Sequence, residues 1–203
     1  MGKAVIVIVI LALVAIVAFG QYVGVRNTLV TKNEAVKAAW SHVDIVLQRR
    51  ADLIPNLVAT VKGYAQQEQT VFGDIAKARS ALLSAGSPSD KIAANQRLDG
   101  ALGRLLAIVE NYPQLKSNEN FLRLQDELAG TENRIAVERK RYNDTLQDYN
   151  TYIQKFPNNI YAGWAGYKPN EAYFAASEAS RQVPTVNFAP PAATPQAAPQ
   201  PAH

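Results

Sequence analysis

The chain has 203 residues and a formal net charge of +4, with 21 basic and 17 acidic side chains interspersed along it. A dedicated nucleic-acid surface requires a basic stripe, so this mixed pattern argues against nucleic acid as a partner. The chain contains no cysteine, which excludes disulfides, thiol chemistry and a lipid-modified cysteine.

Residues 4–20 form an uninterrupted apolar run without a charged side chain. A helix rises about 1.5 Å per residue, so this run spans roughly 25 Å, close to a hydrocarbon core of about 30 Å. Tyr22 and Val23 extend the run, and Tyr22 suits a membrane interface. We therefore expect residues 1–25 to form a transmembrane anchor that contacts the lipid bilayer through residues 4–23.

A cleaved signal peptide is the alternative for this run. Lys3 provides a minimal basic n-region, and residues 18–20 resemble a small-x-small cleavage site. Because the apolar core of a signal peptide usually has about 7–15 residues and this run is longer, we expect it to be retained. The side of the membrane stays open: basic flanks weakly favour a cytoplasmic domain, whereas the signal-like start favours an exported one.

The pattern is helical almost throughout residues 27–156, where apolar residues recur three or four positions apart. The clearest break is GSPSD at residues 86–90, which combines a C′ glycine, an N-cap serine and a first-turn proline. One helix is predicted to end near Ser84 and the next to begin at Pro88. Continuous helical stripes are predicted between the breaks, at 57–82, 92–115 and 121–156. Further breaks are predicted at 112–118 and 156–159.

Residues 30–47 carry an apolar stripe that includes Trp40, and Pro55 follows soon after. Either the helix continues through Pro55, leaving Trp40 in water, or the chain turns near residues 49–52. Burying a large apolar side chain is worth roughly 1.5–3 kcal/mol, so we expect the turn. The predicted fold is all-α: an antiparallel up-and-down four-helix bundle at residues 26–157 behind a single N-terminal transmembrane helix.

The C-terminal part of the sequence changes in character. Residues 158–188 contain aromatic residues and glycine without a regular period, and we expect an ordered strap whose aromatic side chains lie on the bundle or membrane surface. Residues 189–203 consist mainly of proline, alanine and glutamine with no acidic or basic residue except a terminal histidine. We expect this tail to be disordered, because it cannot bury enough apolar surface to offset its ordering entropy.

Few residues in the sequence suggest catalysis or metal binding. His42 has no partner at helical spacing, His203 ends the tail, and neither histidine follows a glutamate by three positions, as a di-metal site requires. Phosphate-loop, nucleophile-elbow and cysteine–histidine patterns are lacking from the sequence. We therefore predict no catalytic residue, cofactor or metal; the alternative is a carboxylate-based enzyme that uses Glu132 and Glu138 with Arg134.

One polar pair repeats: Tyr142–Asn143 recurs as Tyr149–Asn150, seven residues later. A heptad step brings the two asparagines to nearly the same helix face, and likewise the two tyrosines. We predict that the tyrosines pack inward and that the asparagines hydrogen-bond across helices. The functional alternative is a polar patch that recognises another protein.

Several separated blocks resemble the LemA family, a group of bacterial membrane-anchored helical bundles. The longest is AWSHVDIVLQRRADLIPNLVATVKGYAQQE at residues 39–68, and a second runs over residues 111–157. NTLV at residues 27–30 is similar to the family's YN-x-LV motif, with Arg26 in place of the tyrosine. The aromatic sequence from residue 156 to residue 188 is also typical of the family.

The resemblance implies a four-helix bundle held at the bacterial cell membrane by a single-pass helix, and it brings no established reaction or cofactor. The family's similarity to a magnetosome membrane protein points to scaffolding. We predict a non-enzymatic scaffold or adaptor whose partner is an unknown protein, with self-association as a further option. The alternatives are a carboxylate enzyme and an accessory of envelope stress or quality control. Candidate interaction or structural residues are Trp40, Arg49, Arg50, Tyr142, Asn143, Tyr149 and Asn150.

Overall fold

The computed structural model describes residues 2–175, and these residues are all-helical, without a strand. The helices are α1 (Gly2–Lys62), α2 (Gln69–Ser84), α3 (Pro88–Val109), α4 (Pro113–Lys116), α5 (Glu119–Gln154) and α6 (Asn158–Trp164). The all-α fold class is confirmed. The tail predicted at residues 189–203 and the part of the strap at residues 176–188 lie outside the described residues.

α1 is a single helix of 61 residues, so the turn predicted near residues 49–52 is wrong. Every large apolar side chain from Val5 to Phe19 is more than half exposed, and this part of α1 is long and apolar enough to cross a membrane. Buried side chains begin at Val25 and continue to Val61. The same helix therefore carries both the exposed apolar run and a large part of the core.

α1 continues through Pro55 because a side chain from α2 replaces the missing backbone partner. Proline has no amide hydrogen, so the carbonyl of Ala51, four residues earlier, lacks its usual partner within the helix. Arg79 Nε donates a hydrogen bond to this carbonyl at 2.8 Å, and Ala51 is fully buried. An unpaired buried polar group costs about 1–3 kcal/mol, which Arg79 offsets.

The actual break lies at residues 63–68, where the sequence analysis predicted a continuous stripe over 57–82. α1 ends at Lys62, and the amide groups of Tyr64 and Ala65 both donate to the carbonyl of Val61, at 3.0 and 2.9 Å. These bonds satisfy a carbonyl at the helix end. The predicted helix is consequently divided between the end of α1 and α2.

The other predicted breaks are confirmed. α2 ends at Ser84 and α3 begins at Pro88, where Ser87 Oγ accepts from the amide of Asp90 at 3.1 Å. Such an N-cap bond satisfies one of the free amide groups at the helix start. Asn118 caps α5 in the same way. The strap differs from its prediction, because its first seven residues form α6.

α1 is central to the packing, and α2, α3 and α5 all contact it close to residues 50 and 51. α5 runs antiparallel to α1 along most of its length, as two widely separated salt bridges show: Arg49–Glu127 and Lys32–Asp148. α2 and α3 pair as an antiparallel hairpin beside the C-terminal half of α1. Nearer the N-terminus, α1 packs against α5, α6 and residues 165–175.

A double-mutant cycle tests the role of Arg79 beside the proline. Arg79→Ala should lower the free energy of unfolding by about 1–3 kcal/mol, because it leaves the Ala51 carbonyl buried and unpaired. In a Pro55→Ala background the restored amide serves that carbonyl, so the same substitution should cost about 1 kcal/mol less. Urea denaturation of the full chain in detergent measures each step, with the exposed Lys77→Ala as control. Equal costs in both backgrounds would contradict this account of α1.

Candidate functional site

Arg50 is a charged residue on the apolar face of α1. It follows Leu47 by three positions and precedes Ile54 by four, so the helical period directs its side chain towards the core. Arg50 is only 6% exposed. The adjacent Arg49 is exposed and pairs with Glu127 at 3.5 Å. The two neighbouring candidate arginines therefore lie in different environments.

Two carboxylates and an amide surround the guanidinium of Arg50. Its Nη1 lies 2.5 Å from Asp99 on α3 and 2.7 Å from Glu132 on α5. The same nitrogen donates to Asn95 Oδ1 at 3.2 Å, and the Asn95 amide donates to Asp99 at 3.1 Å. A single guanidinium from α1 thus joins α3 to α5. Removing one partner from such a buried pair is costly, because it leaves an uncompensated charge.

A second arginine, Arg139 on α5, borders this group. Its guanidinium nitrogens lie 3.8 Å from Asp99 and 3.9 Å from Glu132. Burial raises the pKa of Asp99 above its usual range; Arg50 opposes the rise in this pKa and Glu132 adds to it. We call these four residues, together with Asn95, the charge cluster. The charge cluster joins three helices. Each of its two carboxylates faces two guanidinium groups, so its charges are paired within the cluster.

A cleft of about 250 Å³ adjoins the charge cluster. Its walls are largely leucine side chains from α1, α3 and α5, and Arg50 and Glu132 lie on its lining. Residues 2–175 contain no group of three or more histidine, aspartate and glutamate side chains placed to hold a metal ion. The cleft therefore combines apolar walls with a paired, largely neutralised ionic group.

The three residues proposed for a carboxylate enzyme do not meet in the structure. Glu132 lies in the charge cluster and lines the leucine-walled cleft, whereas Glu138 and Arg134 line a different surface depression. His42 is exposed on α1. Glu132 and Glu138 are six positions apart on α5, a spacing that does not bring two side chains to the same helix face.

Trp40 is half-buried although α1 is continuous, because α5 is long enough to cover it. Its ring centroid lies 5.3 Å from that of Tyr142 on α5 and 6.0 Å from that of Phe174, which stacks on it with an interplanar angle of 22°. Tyr142 is 1% exposed. The expectation that a continuous helix leaves Trp40 in water is wrong, since the continuous helix has a partner at this height.

Asn143 and Asn150 bind residues 165–175 to the side of α5. The Asn143 amide donates to the carbonyl of Phe174 at 2.9 Å and accepts from its N–H at 3.0 Å. Asn150 makes the same two bonds with the backbone of Asn170, at 2.7 and 2.8 Å. The asparagines thus bind the following segment of the chain, where the sequence analysis placed their partners on another helix.

The heptad spacing of the asparagines matches the path of this segment. Seven helical residues rise about 10.5 Å, and the four residue-to-residue steps from Asn170 to Phe174 span up to about 13 Å when extended. Tyr149 donates from its hydroxyl to the carbonyl of Lys168 at 3.2 Å. Burial raises the pKa of Tyr149, which keeps this hydroxyl a donor at higher pH.

Phe174 connects the aromatic residues to the charge cluster. The guanidinium carbon of Arg139 lies 5.1 Å from the centre of its ring, within the range of a cation–π interaction. Asn95, Asp99, Arg139 and Phe174 were not predicted as site residues from the sequence. A signal existed for Asn95, which precedes the buried Leu98 by three positions and so falls near an apolar stripe.

Hydrogen exchange tests the binding of the segment by the two asparagines. Asn150→Ala should speed exchange at the amide of Asn170, and Asn143→Ala should speed exchange at the amide of Phe174, because each loses its acceptor. Exchange measured by mass spectrometry on the full chain reports both sites. Asn133→Ala, an exposed position on the same helix, is the control. Unchanged exchange in both variants would show that the segment is held by other contacts.

The raised pKa of Asp99 predicts a pH dependence of stability. Since its folded pKa lies above the unfolded value, the folded state binds more protons in the window between them, and this contribution to stability falls as pH rises. Asp99→Asn removes the effect. The free energy of unfolding of the unchanged chain, relative to Asp99→Asn, should therefore increase when pH falls from about 7 to about 4.5. Urea denaturation at both pH values measures it, and a decrease would contradict the prediction.

Comparison with known proteins gives consistent matches. The LemA family matches residues 39–188. Magnetosome protein MamQ 2 of Paramagnetospirillum magneticum is 30% identical over 194 residues, covering 82% of this chain and 71% of the relative. Magnetosome protein MamQ of Magnetospirillum gryphiswaldense is 30% identical over 191 residues, covering 81% and 70%. Protein LemA of Metamycoplasma hominis is 25% identical over 167 residues, covering 79% and 73%.

The family match extends from α1 at Ala39 through the charge cluster, the two asparagines and Phe174. It thus includes the residues that join the helices as well as the segment bound to α5. With most of the sequence covered, the chain belongs to the LemA family.

Proposed function

We propose that the chain is a membrane-anchored, non-enzymatic scaffold that binds protein partners at the bacterial cell membrane. The observation that carries the proposal is the continuity of α1, in which an exposed apolar segment of membrane-spanning length leads directly into the packed core. Relatives named as magnetosome proteins support a role associated with a bacterial membrane. In this proposal α1 crosses the bilayer once and is retained in the mature protein.

The proposed anchoring has a mechanical consequence that suits a scaffold. Residues 21–30 continue the helix from the apolar run into the domain without a loop, and Val25 and Leu29 are already buried against the rest of the structure. The helices packed on α1 are thereby held at a fixed height above the bilayer. A partner bound to the domain is held at that height as well.

The surface that best fits a protein partner is the seam between α1 and α5. We define the α1–α5 seam by four residues: Val46, Arg49, Arg134 and Val137. Val137 is 65% exposed, although its side chain is large and apolar. Val137, Val46 and Arg134 line one shallow depression, and Arg49 and Arg134 line the next. An apolar centre bordered by arginine is typical of protein-binding surfaces.

Site-specific photo-cross-linking in native membranes tests the seam as a partner surface. A photoreactive amino acid at position 137 should give a discrete adduct, whereas the same group at position 83 should not. Leu83 is the matched control, an exposed apolar residue on α2. Arg134→Glu should remove the adduct at position 137 while leaving the helical circular dichroism unchanged.

The mass of the adduct identifies the class of partner. An adduct of twice the chain mass indicates a second copy, and any other discrete mass indicates a different protein. Equal labelling at positions 83 and 137, or no adduct at position 137, would contradict the assignment of the seam.

A further inference from the structure

A set of large apolar side chains around α6 is exposed to solvent. Phe156 is 81% exposed, Trp164 is 75% exposed and Ile160 is 43% exposed. Ile160 and Trp164 are four positions apart, so they lie on one face of α6. Soluble monomers seldom expose apolar groups of this size together. We therefore expect a partner to cover this face.

The position of α6 along α1 indicates what that partner is. The ring of Tyr161 on α6 lies 6.3 Å from that of Tyr22 on α1 and 5.8 Å from that of Trp164. Tyr22 is two residues beyond Gly20, the end of the apolar run, which is about 3 Å along the helix. α6 consequently lies at the height at which a membrane-spanning α1 leaves the hydrocarbon region.

The charges at this end of the domain match an anionic surface. Residues 21–33 and 149–170 contain four basic side chains and no aspartate or glutamate. Three of the four are exposed: Arg26, Lys155 and Lys168. Basic side chains next to a membrane segment are attracted to anionic lipid headgroups.

We propose that α6 and Phe156 form a second membrane contact, in which Trp164, Ile160 and Phe156 enter the headgroup region of the leaflet that α1 leaves. The partner is an anionic phospholipid bilayer. Tryptophan favours this region because its ring is apolar while its N–H remains hydrated. The inference rests on the proposed anchoring by α1.

A lipid partner is favoured over a protein partner because α6 lies next to the lipid headgroups that surround α1. Whenever α1 spans the bilayer, headgroups surround it within about one helical turn of Tyr22, which is the height of α6. A second copy or another protein would have to displace those lipids to cover the same face. The exposed cations also repel the equivalent end of a second copy.

The two tryptophans of the chain, Trp40 and Trp164, provide a matched test. The full chain is reconstituted in vesicles of equal parts phosphatidylglycerol and phosphatidylcholine, with brominated or unmodified acyl chains. In Trp40→Phe, the emission of Trp164 should lie at a shorter wavelength than in the unfolded chain and should be quenched by brominated lipid. In Trp164→Phe, Trp40 should not be quenched, because it lies 18 residues beyond Tyr22, about 27 Å along α1.

Vesicle flotation separates failure of this contact from failure of the anchor. If the chain floats with the vesicles but Trp164 is not quenched, the α6 contact is overturned and the anchor stands. If the chain does not float, both proposals fail. A shift of Trp164 to shorter wavelength without quenching assigns the face to a protein or a second copy and overturns the lipid contact. Equal quenching of both tryptophans also overturns it, because it places the whole domain against lipid.

Discussion

The hydrogen bond from Arg79 to the carbonyl of Ala51 is the contact on which the rest of the structure depends. It pairs the carbonyl of the fully buried Ala51, which Pro55 leaves without a helical partner. α1 can therefore continue past Pro55 and serve as the common partner of the other helices. Arg50, the preceding residue, binds carboxylates from α3 and α5. Two consecutive positions on α1 therefore fix the places of α2, α3 and α5, one through a backbone oxygen and the other through a guanidinium.

The charge cluster and the aromatic residues form one continuous structure through Arg139 and Phe174. Arg139 faces the carboxylates on one side and the Phe174 ring on the other, while Asn143 fixes the backbone of Phe174. The segment after α6 is thus bound by hydrogen bonds to its backbone from two asparagine amides and the Tyr149 hydroxyl, and by the contacts of the Phe174 ring. Only the side chain of Arg139 lies between Asp99 on α3 and the ring of Phe174. The position of this segment therefore depends on helices that are distant from it in sequence.

Features set by neighbouring residues were predictable from the sequence, and features set by distant ones were not. The Ser87 cap and the start of α3 at Pro88 depend on adjacent side chains alone, and both were predicted correctly. The turn near residues 49–52 was predicted wrongly, because the cost of Pro55 is offset by Arg79 from another helix. The break after Lys62 was missed, because Gly63 is its one strong local signal. The spacing of Asn143 and Asn150 revealed a shared face but could not reveal their partner, which lies in a segment without a period.

The continuity of α1 also fixes the direction in which each surface points. A helix turns by about 100° and rises about 1.5 Å per residue, so one residue inserted between Gly20 and Val25 would rotate the whole domain by that angle about the helix axis. In the proposed membrane-anchored state, α1 fixes an angle about its own axis. This is the angle between the neighbours of the apolar segment within the bilayer and the partner at the α1–α5 seam. The number of helical residues between the apolar run and the domain, residues 21–24, then determines how an assembly is oriented in the membrane plane.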